Sequence, residues 1–482
     1  AQAVLMSLTL AIDQGTHSTR AVVIDARGRQ DAVGRAPFDL QVISPGEVEQ
    51  SPEDILMSLE QAISEVLAQP SVDPAGIGQA GLATQRSSVL AWEYGSGRAL
   101  SPVLSWQDTR TRSQLAGLEP AAGGIRRHTG LRLSPHYGAS KLHWLLQHNH
   151  AVRRARDNDD LVIGPLASFL LHHLSDTRQD TVDHANAART LLWNLQQRDW
   201  DPWLCELFDV PVDLLPECRP VCSDHKRMVN TGIPVTAVNG DQSAALYAHG
   251  QPEEDTILVN IGTGAFVLLP TGNTPRQHPD LLTGISRSTA TQGDYYIEGT
   301  VNGAGAAVKW AEARYELGDW QSRLPGWLDD MDTPPVFLNT IGGLGAPWWH
   351  SGGMPVFLDR SDTDTVPPAE ALVAVIESIA FMVCANIAIL REVNPGIRRI
   401  RISGGLSQLD GLCRRIASLS GLGVVRPIQV ETTARGIAWL AAGGPHTWQP
   451  TGEPVTFGPQ PNPALGERQE RFLEAIGRYT QT

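Results

Sequence analysis

A short stretch near the start of the chain brings together side chains that bind phosphate. A carboxylate, hydroxyls and a guanidinium lie within eight residues around one glycine: Asp13, Gly15, Thr16, Ser18 and Arg20. Main-chain N–H groups at such a turn bind anions, and hydroxyl and guanidinium groups add further donors. The carboxylate can hold a hydrated Mg2+. These residue types predict a nucleotide-phosphate site, although aspartate and glycine also form ordinary turns.

A second carboxylate, Asp241, follows the strand-like residues 233–238 and begins a helical pattern. In α/β folds, ligands bind at the carboxyl ends of strands. An alcohol is a poor nucleophile at neutral pH, so a carboxylate within hydrogen-bond reach of it serves as a general base. Asp241 is therefore the candidate base, and the competing interpretation is a simple cap of the helix.

Glycine turns between apolar runs recur along the chain. Two β-prone runs flank the first turn, which predicts a β-hairpin. Residues 256–270 repeat this plan around a Gly-Thr-Gly turn at residues 262–264. Two phosphate-type hairpins roughly 250 residues apart indicate two related halves that face each other over one nucleotide. A third turn, Gly-Gly at residues 404–405, follows a strand-like run, where an adenosine can lie against bare main chain.

Strand and helix patterns alternate between these turns. The apolar residues 77–84 predict a strand that ends just before Arg86 and Ser87, and another strand ends near Trp106. Ser51, followed by a proline and by an acid three residues later, predicts the start of a helix. This order predicts an α/β fold whose polar residues gather at the strand ends.

The length of the chain indicates two domains. At 482 residues it exceeds the size at which one hydrophobic core stops growing. The polar, proline-containing residues 250–255 mark a boundary between the halves. We therefore predict domains at residues 1–249 and 250–482.

Charge and cysteine content exclude several classes of protein. A net charge of -14 argues against a nucleic-acid partner, because no basic surface is available to neutralise phosphates. Five cysteines are an odd and sparse set, which favours a reducing cytoplasm over a disulfide scaffold. Cys218 and Cys222 lie close together, yet no second pair or histidine cluster accompanies them, so we expect no metal site there.

The apolar segments favour a cytoplasmic protein without a membrane partner. We expect no apolar run that approaches the ~20 residues needed to cross a bilayer. Residues 369–390 predict a long, buried helix instead. The first residues lack the charged segment of a secretion signal, so we expect no export.

The chain resembles the FGGY carbohydrate kinase family, and within it the glycerol kinases. In the first half the resemblance rests on AIDQGTHSTR, TQRSS, SWQDTRT, SKLHWLLQH, DHANAARTLLWN and NGDQSAALYA. In the second half it continues with IGTGAFVLL, EGTVNGAGAAVKW, GGLGAPWW, SGGL and ETTARGIAWLAAG. Each motif alone is weak, but their shared order along nearly the whole chain makes the resemblance specific.

This resemblance implies a fold and a reaction. The fold is a pair of ribonuclease-H-like α/β domains, as in the actin, Hsp70 and sugar-kinase superfamily, with ATP and substrate in the cleft between them. The reaction is transfer of the γ-phosphoryl group of ATP, with Mg2+, to a hydroxyl of a small polyol or sugar. Members of the family often form homodimers or homotetramers, but no interface pattern is visible in this sequence.

The resemblance also implies roles for individual residues. Asp241, in the Gly-Asp-Gln motif, is the catalytic base, and Asp13 holds Mg2+. The implied substrate wall consists of Arg86, Ser87, Trp106, His136, Asp241, Gln242 and Phe266. The implied ATP site consists of Thr16, His17, Ser18, Arg20, Gly262, Thr263, Gly305, Lys309, Gly405 and Leu406. Competing interpretations are a core residue for Trp106 and a solvated helix residue for Lys309.

Three positions depart from the glycerol kinases. Ser87 stands where they carry a glutamate, which removes a strong acceptor for substrate hydroxyls. His136, or Tyr137 one residue along, stands at a tyrosine position, and His17 replaces a small hydroxyl residue. The acceptor is therefore left open between glycerol and a longer polyol or a ketose.

Two other functions compete with a glycerol-kinase-like enzyme. Asp108 in SWQDTRT resembles an acid of the pentulose kinases, which act on xylulose or ribulose. A different class is a catalytically inactive nucleotide-binding protein with an actin-like fold. The joint presence of Asp13, Thr263 and Asp241 argues against that class, because a scaffold needs no base.

Overall fold

Two large β-sheets, one from each half of the sequence, form the framework of the protein. The computed structural model describes residues 8–358, 360, 365–428, 431–446, 448 and 452–481. Outside those ranges lie the first seven residues, which precede the predicted hairpin.

The first half of the chain alternates strands and helices. Its strands are β1 (Leu8–Gln14), β2 (Ser18–Ile24), β3 (Gln30–Pro37), β4 (Gln41–Ser44), β5 (Glu47–Gln50), β6 (Ile77–Thr84), β7 (Val89–Trp92), β8 (Val103–Leu104), β9 (Val162–Pro165), β10 (Thr181–Asp183), β11 (Trp193–Asn194), β12 (Asp199–Trp200), β13 (Glu217–Arg219) and β14 (Val235–Gly240). Its helices are α1 (Pro52–Leu67), α2 (Ala122–Thr129), α3 (Gly138–His148), α4 (His150–Asp157), α5 (Leu166–Leu174), α6 (His184–Ala187), α7 (Pro202–Leu207) and α8 (Asp241–Ala245).

The second half begins with a new hairpin. Its strands are β15 (Thr256–Ile261), β16 (Ala265–Gly272), β17 (Leu282–Ser288), β18 (Gly293–Val301), β19 (Phe337–Leu338), β20 (Val356–Phe357), β21 (Arg399–Ser403), β22 (Gly423–Arg426) and β23 (Val455–Phe457). Its helices are α9 (Gly305–Arg314), α10 (Trp320–Asp330), α11 (Pro368–Val393), α12 (Asp410–Ser420), α13 (Thr432–Ala441) and α14 (Pro463–Tyr479).

The first large sheet has the strand order β14-β6-β1-β2-β3. β1 and β2 form the predicted antiparallel hairpin, while β6 runs parallel to both β1 and β14. Leu10 and Ile12 face the core beneath α1, and Ala11 between them faces a second core. Both faces of β1 are thus buried, which explains its continuous apolar sequence. The predicted cap of α1 is confirmed, since the Ser51 hydroxyl accepts a hydrogen bond from the Asp54 N–H at 3.1 Å.

The second large sheet has the strand order β17-β18-β16-β15-β21-β22-β23. β15 and β16 form the second predicted hairpin, and β21 runs parallel to β15. A further five-stranded sheet, of order β4-β5-β8-β7-β9, extends the first half. The two large sheets therefore share a plan in which a hairpin pairs with a parallel strand.

Helix α11 corrects one expectation from the sequence. It has 26 residues, and its most apolar stretch reaches a mean hydropathy of 2.3, so by length and composition it could cross a membrane. The expectation that no apolar run approaches that length is therefore wrong. However, 83% of this stretch is buried inside the protein, as the predicted long core helix requires.

Helix α13 comes late in the sequence but packs on the first sheet. It contacts β1, β6, β14 and α8. Glycines permit this approach: a Cβ at Gly81 would lie 2.8 Å from Ile437 Cγ1, and a Cβ at Gly436 would overlap the Ala244 carbonyl oxygen. The helix thereby presents its N-terminus to the edge where β1 and β14 end.

We expect Gly436→Ala to destabilise the protein, because the added methyl group must push α13 away from α8. The expected loss is about 1–3 kcal/mol in the free energy of unfolding, as for other overpacked sites. Gly466→Ala in α14 is the matched control, since nothing lies within 4 Å of its added Cβ. That control should be neutral or stabilise by about 0.4–1 kcal/mol. Equal midpoints of chemical denaturation for the two variants would contradict this packing.

Candidate active site

Three parallel strands of the first sheet end at the same edge and carry the polar residues there. Gln14 at the end of β1 lies opposite Thr84 at the end of β6, and Thr84 lies opposite Gly240 at the end of β14. This register brings together Asp13 and Asp241, which interact electrostatically. Arg86 follows β6 by two residues, and its Nε lies 3.5 Å from Asp241 Oδ1. The edge therefore holds two carboxylates and a guanidinium.

Asp241 is the first residue of α8 and is held by its neighbours. The Gln242 N–H donates to its Oδ1 at 2.7 Å, and the Thr433 hydroxyl at the start of α13 lies 3.5 Å from its carbonyl oxygen. Burial raises the pKa of Asp241, and the positive charge of Arg86 opposes that rise. A carboxylate with a raised pKa is a stronger proton acceptor than an exposed one.

Asp13 lies one residue before the end of β1, opposite Arg20 of β2. Burial and the nearby charge of Asp241 raise the pKa of Asp13 to about 7, against the lowering effect of Arg20. Arg20 also forms an ion pair with Glu431, next to the start of α13. A cation at this point would relieve the repulsion between the two aspartates.

The part of the chain that the structure describes holds no group of three His, Cys, Asp or Glu side chains arranged to bind a metal. A metal at Asp13 would thus take its other ligands from water and from phosphate oxygens. Mg2+ is commonly held in this way, through one or two carboxylates. The residues present fit a hydrated Mg2+.

The first glycine turn connects phosphate-type and substrate-type residues. The Thr16 hydroxyl accepts a hydrogen bond from Trp106 Nε1 at 3.0 Å, and its carbonyl oxygen accepts one from Gln50 Nε2 at 2.8 Å. The Gly15 N–H donates to the Ser18 carbonyl oxygen at 3.0 Å, which closes the turn, and His17 is exposed at its tip. Trp106 is therefore fixed to this turn and is only partly buried.

The second glycine turn packs directly against the start of α9. The Gly305 N–H donates to the Gly262 carbonyl oxygen at 2.9 Å, and the Ala306 N–H donates to that of Thr263 at 2.9 Å. A Cβ at Gly305 would lie 2.7 Å from the Gly262 oxygen, so only glycine permits this approach. Gly262 and Thr263 remain exposed above it. Exposed main chain beside a helix start is suited to phosphate oxygens.

The third glycine turn lies beside the second. Gly404 has a φ of +91°, and a Cβ there would collide with Asn260 and Ile261 at the end of β15. Gly405 faces open space and Leu406 is half-buried against the core of the second half. Such a surface offers bare main chain and an apolar side chain to a flat ring.

Lys309, the remaining residue of the predicted ATP site, lies at the margin of that site. Lys309 lies four residues after Gly305 on α9, on the same face of the helix, with an exposed side chain. The two halves also meet next to Asp241, where Asn260 Nδ2 lies 3.5 Å from Gln242 Oε1.

Arg86 anchors the predicted substrate wall. Its Nη1 donates to the Tyr296 hydroxyl at 2.7 Å and lies 3.3 Å from Glu298 Oε2. Its guanidinium carbon lies 5.8 Å from the centre of the Phe266 ring. Arg189 joins this group, with Nη2 3.0 Å from Glu298 Oε1. The wall thus combines side chains from both halves of the chain.

A buried lysine fixes the other side of the wall. Lys141 is fully buried and its Nζ donates to the carbonyl oxygens of Ser105 at 2.7 Å and His136 at 2.9 Å. These bonds tie together the two main-chain segments that carry Trp106 and His136, whose rings lie 5.7 Å apart. Burial, with the positive charges of Lys141 and Arg189 nearby, holds the pKa of His136 well below its usual range. His136 is therefore a neutral wall residue at pH 7.

Ser87 adopts an unusual main-chain conformation beside Arg86. Its φ is +66°, which is uncommon for a residue with a side chain. Its buried hydroxyl has no hydrogen-bond partner among the described residues. Strained residues with unsatisfied polar groups occur preferentially at functional sites.

Several residues of this site are not singled out by the sequence patterns. They are Arg189, Tyr296, Glu298 and Glu431. Glu298 is fully buried yet stays charged: burial pushes its pKa up, but Arg189 and Arg86 together lower it below the usual range. In the sequence Glu298 is the first residue of the family motif EGTVNGAGAAVKW and a charged residue within the apolar run YYIEGTV, but neither pattern indicates its partners. The interacting residues lie 109 positions apart for Arg189 and Glu298, so no local spacing indicates them.

Comparisons with known proteins identify the family. Residues 8–248 match the model of the FGGY family of carbohydrate kinases, N-terminal domain, and residues 257–444 match the C-terminal domain of the same family. A glycerol kinase from Xanthobacter autotrophicus is 34% identical over 448 residues, which is 90% of this chain and 89% of that protein.

Solved structures share the fold. A glycerol kinase from Plasmodium falciparum, crystallised with ADP, superposes with a TM-score of 0.87 at 24% identity, over 98% of each chain. A xylulose kinase from Rhodospirillum rubrum superposes with a TM-score of 0.84 at 19% identity, over 98% of this chain and 100% of that one. The predicted pair of ribonuclease-H-like α/β domains and the predicted kinase class are confirmed. The chain belongs to the FGGY family of carbohydrate kinases.

Proposed function

We propose that the protein transfers the γ-phosphoryl group of ATP to a hydroxyl of a small polyol or sugar, as a glycerol-kinase-like enzyme. The observation that carries this proposal is the placement of Asp241. Its carboxylate lies beside Arg86 at the edge that also holds Asp13. Through Gln242 the same turn reaches Asn260, next to the second glycine-threonine hairpin.

In this proposal Asp241 acts as the general base. It accepts the proton of the acceptor hydroxyl while the hydroxyl oxygen bonds to the γ-phosphorus. The bond from that phosphorus to the bridging oxygen breaks, and ADP leaves. Because burial raises the pKa of Asp241, the carboxylate accepts a proton more readily than an exposed one does. Arg86 orients the acceptor and stabilises the charged carboxylate.

The two glycine-threonine hairpins bind the phosphates in this proposal. Phosphoryl transfer depends mainly on positioning and on neutralising charge. Donors come from the hydroxyls of Thr16, Ser18 and Thr263 and from the Arg20 guanidinium, with His17 at the rim. Gly262 and Gly305 shape the second turn, because their N–H groups already donate to the carbonyl oxygens of Gly264 and Gly262. Asp13 would hold Mg2+, which neutralises phosphate charge when bound. Gly405 and Leu406 would border the adenosine, with Lys309 at the open side of α9.

The acceptor binds against Arg86, Ser87, Trp106, His136, Gln242 and Phe266. Ser87 offers a buried hydroxyl that has no partner within the described ranges, and the space beside it suits a polyol longer than glycerol or a ketose. The pentulose alternative rests on this same feature. Asp108 does not support it, because its carboxylate is fully buried and accepts hydrogen bonds from the Val48 N–H and from Arg110.

We propose that the enzyme is cytoplasmic and that it forms a homodimer or homotetramer. We place the boundary between its two domains between residues 249 and 250. The reducing environment fits the described cysteines, all of which are free. The boundary fits the start of the second hairpin at Thr256. A catalytically inactive actin-like protein is not favoured, because relatives over 90% of the chain carry the name glycerol kinase.

We expect Asp241→Asn to lower turnover by about 10²- to 10⁴-fold, the usual cost of a lost general base, with little change in ATP affinity. The assay measures ADP release with a panel of three- to six-carbon polyols and ketoses, including glycerol, erythritol, xylulose and ribulose. For the wild type, kcat should fall as the pH drops through the raised pKa of Asp241, because protonation removes the base.

Asp224→Asn is the control for this variant, since its carboxylate is 73% exposed and accepts hydrogen bonds from the N–H and Nζ of Lys226, a residue outside the candidate site. It should keep wild-type turnover. An Asp241→Asn protein as active as this control would rule out Asp241 as the base.

We expect Asp13→Ala to raise the Mg2+ concentration that supports half-maximal activity, because a carboxylate that holds the hydrated ion is lost. The measurement is a Mg2+ titration of turnover at saturating ATP, for the variant and the wild type. Superimposable titrations would count against a metal role for Asp13.

A further inference from the structure

A buried ion cluster joins the two halves of the chain directly behind the proposed base. We name the four residues Arg86, Arg189, Tyr296 and Glu298 the Glu298 cluster. Glu298 and Tyr296 belong to β18 of the second sheet, while Arg86 follows β6 and Arg189 follows α6 in the first half. Each Glu298 oxygen contacts one guanidinium, at 3.3 Å for Arg86 and 3.0 Å for Arg189.

We propose that Glu298 is a positioning residue, which holds the Arg86 guanidinium back from Asp241 so that the Asp241 carboxylate stays available to the acceptor hydroxyl. This inference rests on the proposed phosphotransferase function and adds a residue from the opposite half of the chain to its site.

The distances around Arg86 support this role. Its Nη1 is bound to the Tyr296 hydroxyl at 2.7 Å and to Glu298 at 3.3 Å, while its Nε is 3.5 Å from Asp241. Charge-assisted hydrogen bonds between N–H and carboxylate groups are usually 2.7–2.9 Å long. The Arg86–Asp241 contact is thus longer than a strong pair. The shortest contact of Arg86, at 2.7 Å, is with the Tyr296 hydroxyl, and together with Glu298 it holds the guanidinium on the side of the second sheet.

The two positive charges of Arg86 and Arg189 explain why a carboxylate is needed at position 298. Arg86 and Arg189 are buried guanidiniums, and the carboxylates around them are Glu298 and Asp241. Without the charge of Glu298, both guanidiniums would be left with Asp241 as their nearest counter-ion. Asp241 would then be paired closely and would lose its freedom to accept a proton.

The Glu298 cluster also makes the acceptor wall depend on how the two halves pack together. Tyr296 touches Ser243 of α8 as well as Arg86, with 3.2 Å between the hydroxyl oxygens. Residues of β18 therefore contact both the strand end that carries Arg86 and the helix that carries Asp241. The acceptor site is complete only where the second sheet meets the first.

The test compares Glu298→Gln with a matched control elsewhere in the protein. Glu377 is likewise buried and bound to two arginines, Arg415 and Arg468, at 2.8–3.0 Å, but it lies within the second half. Glu298→Gln and the control Glu377→Gln should both lower the melting temperature, because each removes a carboxylate charge that pairs with two buried guanidiniums. Only Glu298→Gln should lower kcat, by about 10- to 100-fold, with the KM for ATP unchanged.

Tyr296→Phe keeps all charges and provides a second variant that is expected to fold. It removes the hydroxyl to which Arg86 donates, and kcat should fall about 3- to 10-fold, again with the KM for ATP unchanged. Wild-type kcat in Tyr296→Phe, or in a folded Glu298→Gln, would overturn the inference while an active wild type keeps the proposed function. A wild type that phosphorylates no acceptor in the panel would overturn both.

Discussion

The common register of β1, β6 and β14 is the constraint on which the site depends. Because these three strands run parallel and end in line, Asp13, Arg86 and Asp241 meet at one edge although they come from distant parts of the chain. A shift of one residue in any of these strands would turn its side chains to the opposite face. Leu10 and Ile12 face one core and Ala11 faces the other, so a shift of β1 would exchange large and small side chains between two packed cores. The chemistry at this edge is therefore fixed by packing far from it.

Arginines of the first half that lie at this edge form ion pairs with glutamates that come later in the sequence. Arg86 and Arg189 both form ion pairs with Glu298 in the second sheet. Arg20 forms one with Glu431 beside α13. These contacts connect strand ends of the first half to parts of the second half. These ion pairs therefore couple the packing of the two halves to the residues around Asp241, the proposed base.

Features set by local sequence were predictable, and those set by distant partners were not. The two hairpins, the strand Ile77–Thr84 and the Ser51 cap follow from turn residues, alternation and capping preferences within a few positions. The pairing of Arg20 with Glu431 spans 411 positions, and no local pattern encodes it. Asp108 has the residue type of a substrate ligand, yet Arg110, only two residues away, binds its carboxylate inside the protein. Sequence patterns thus located the strand ends, while the roles of charged residues there depend on tertiary contacts.

The most direct test is a crystal structure of the protein with a non-hydrolysable ATP analogue and an acceptor polyol. We expect the γ-phosphate between the turn at residues 15–17 and the turn at residues 262–264. We also expect an acceptor hydroxyl within hydrogen-bond distance of the Asp241 carboxylate. A nucleotide bound away from both turns, or an acceptor hydroxyl out of reach of Asp241, would contradict the account.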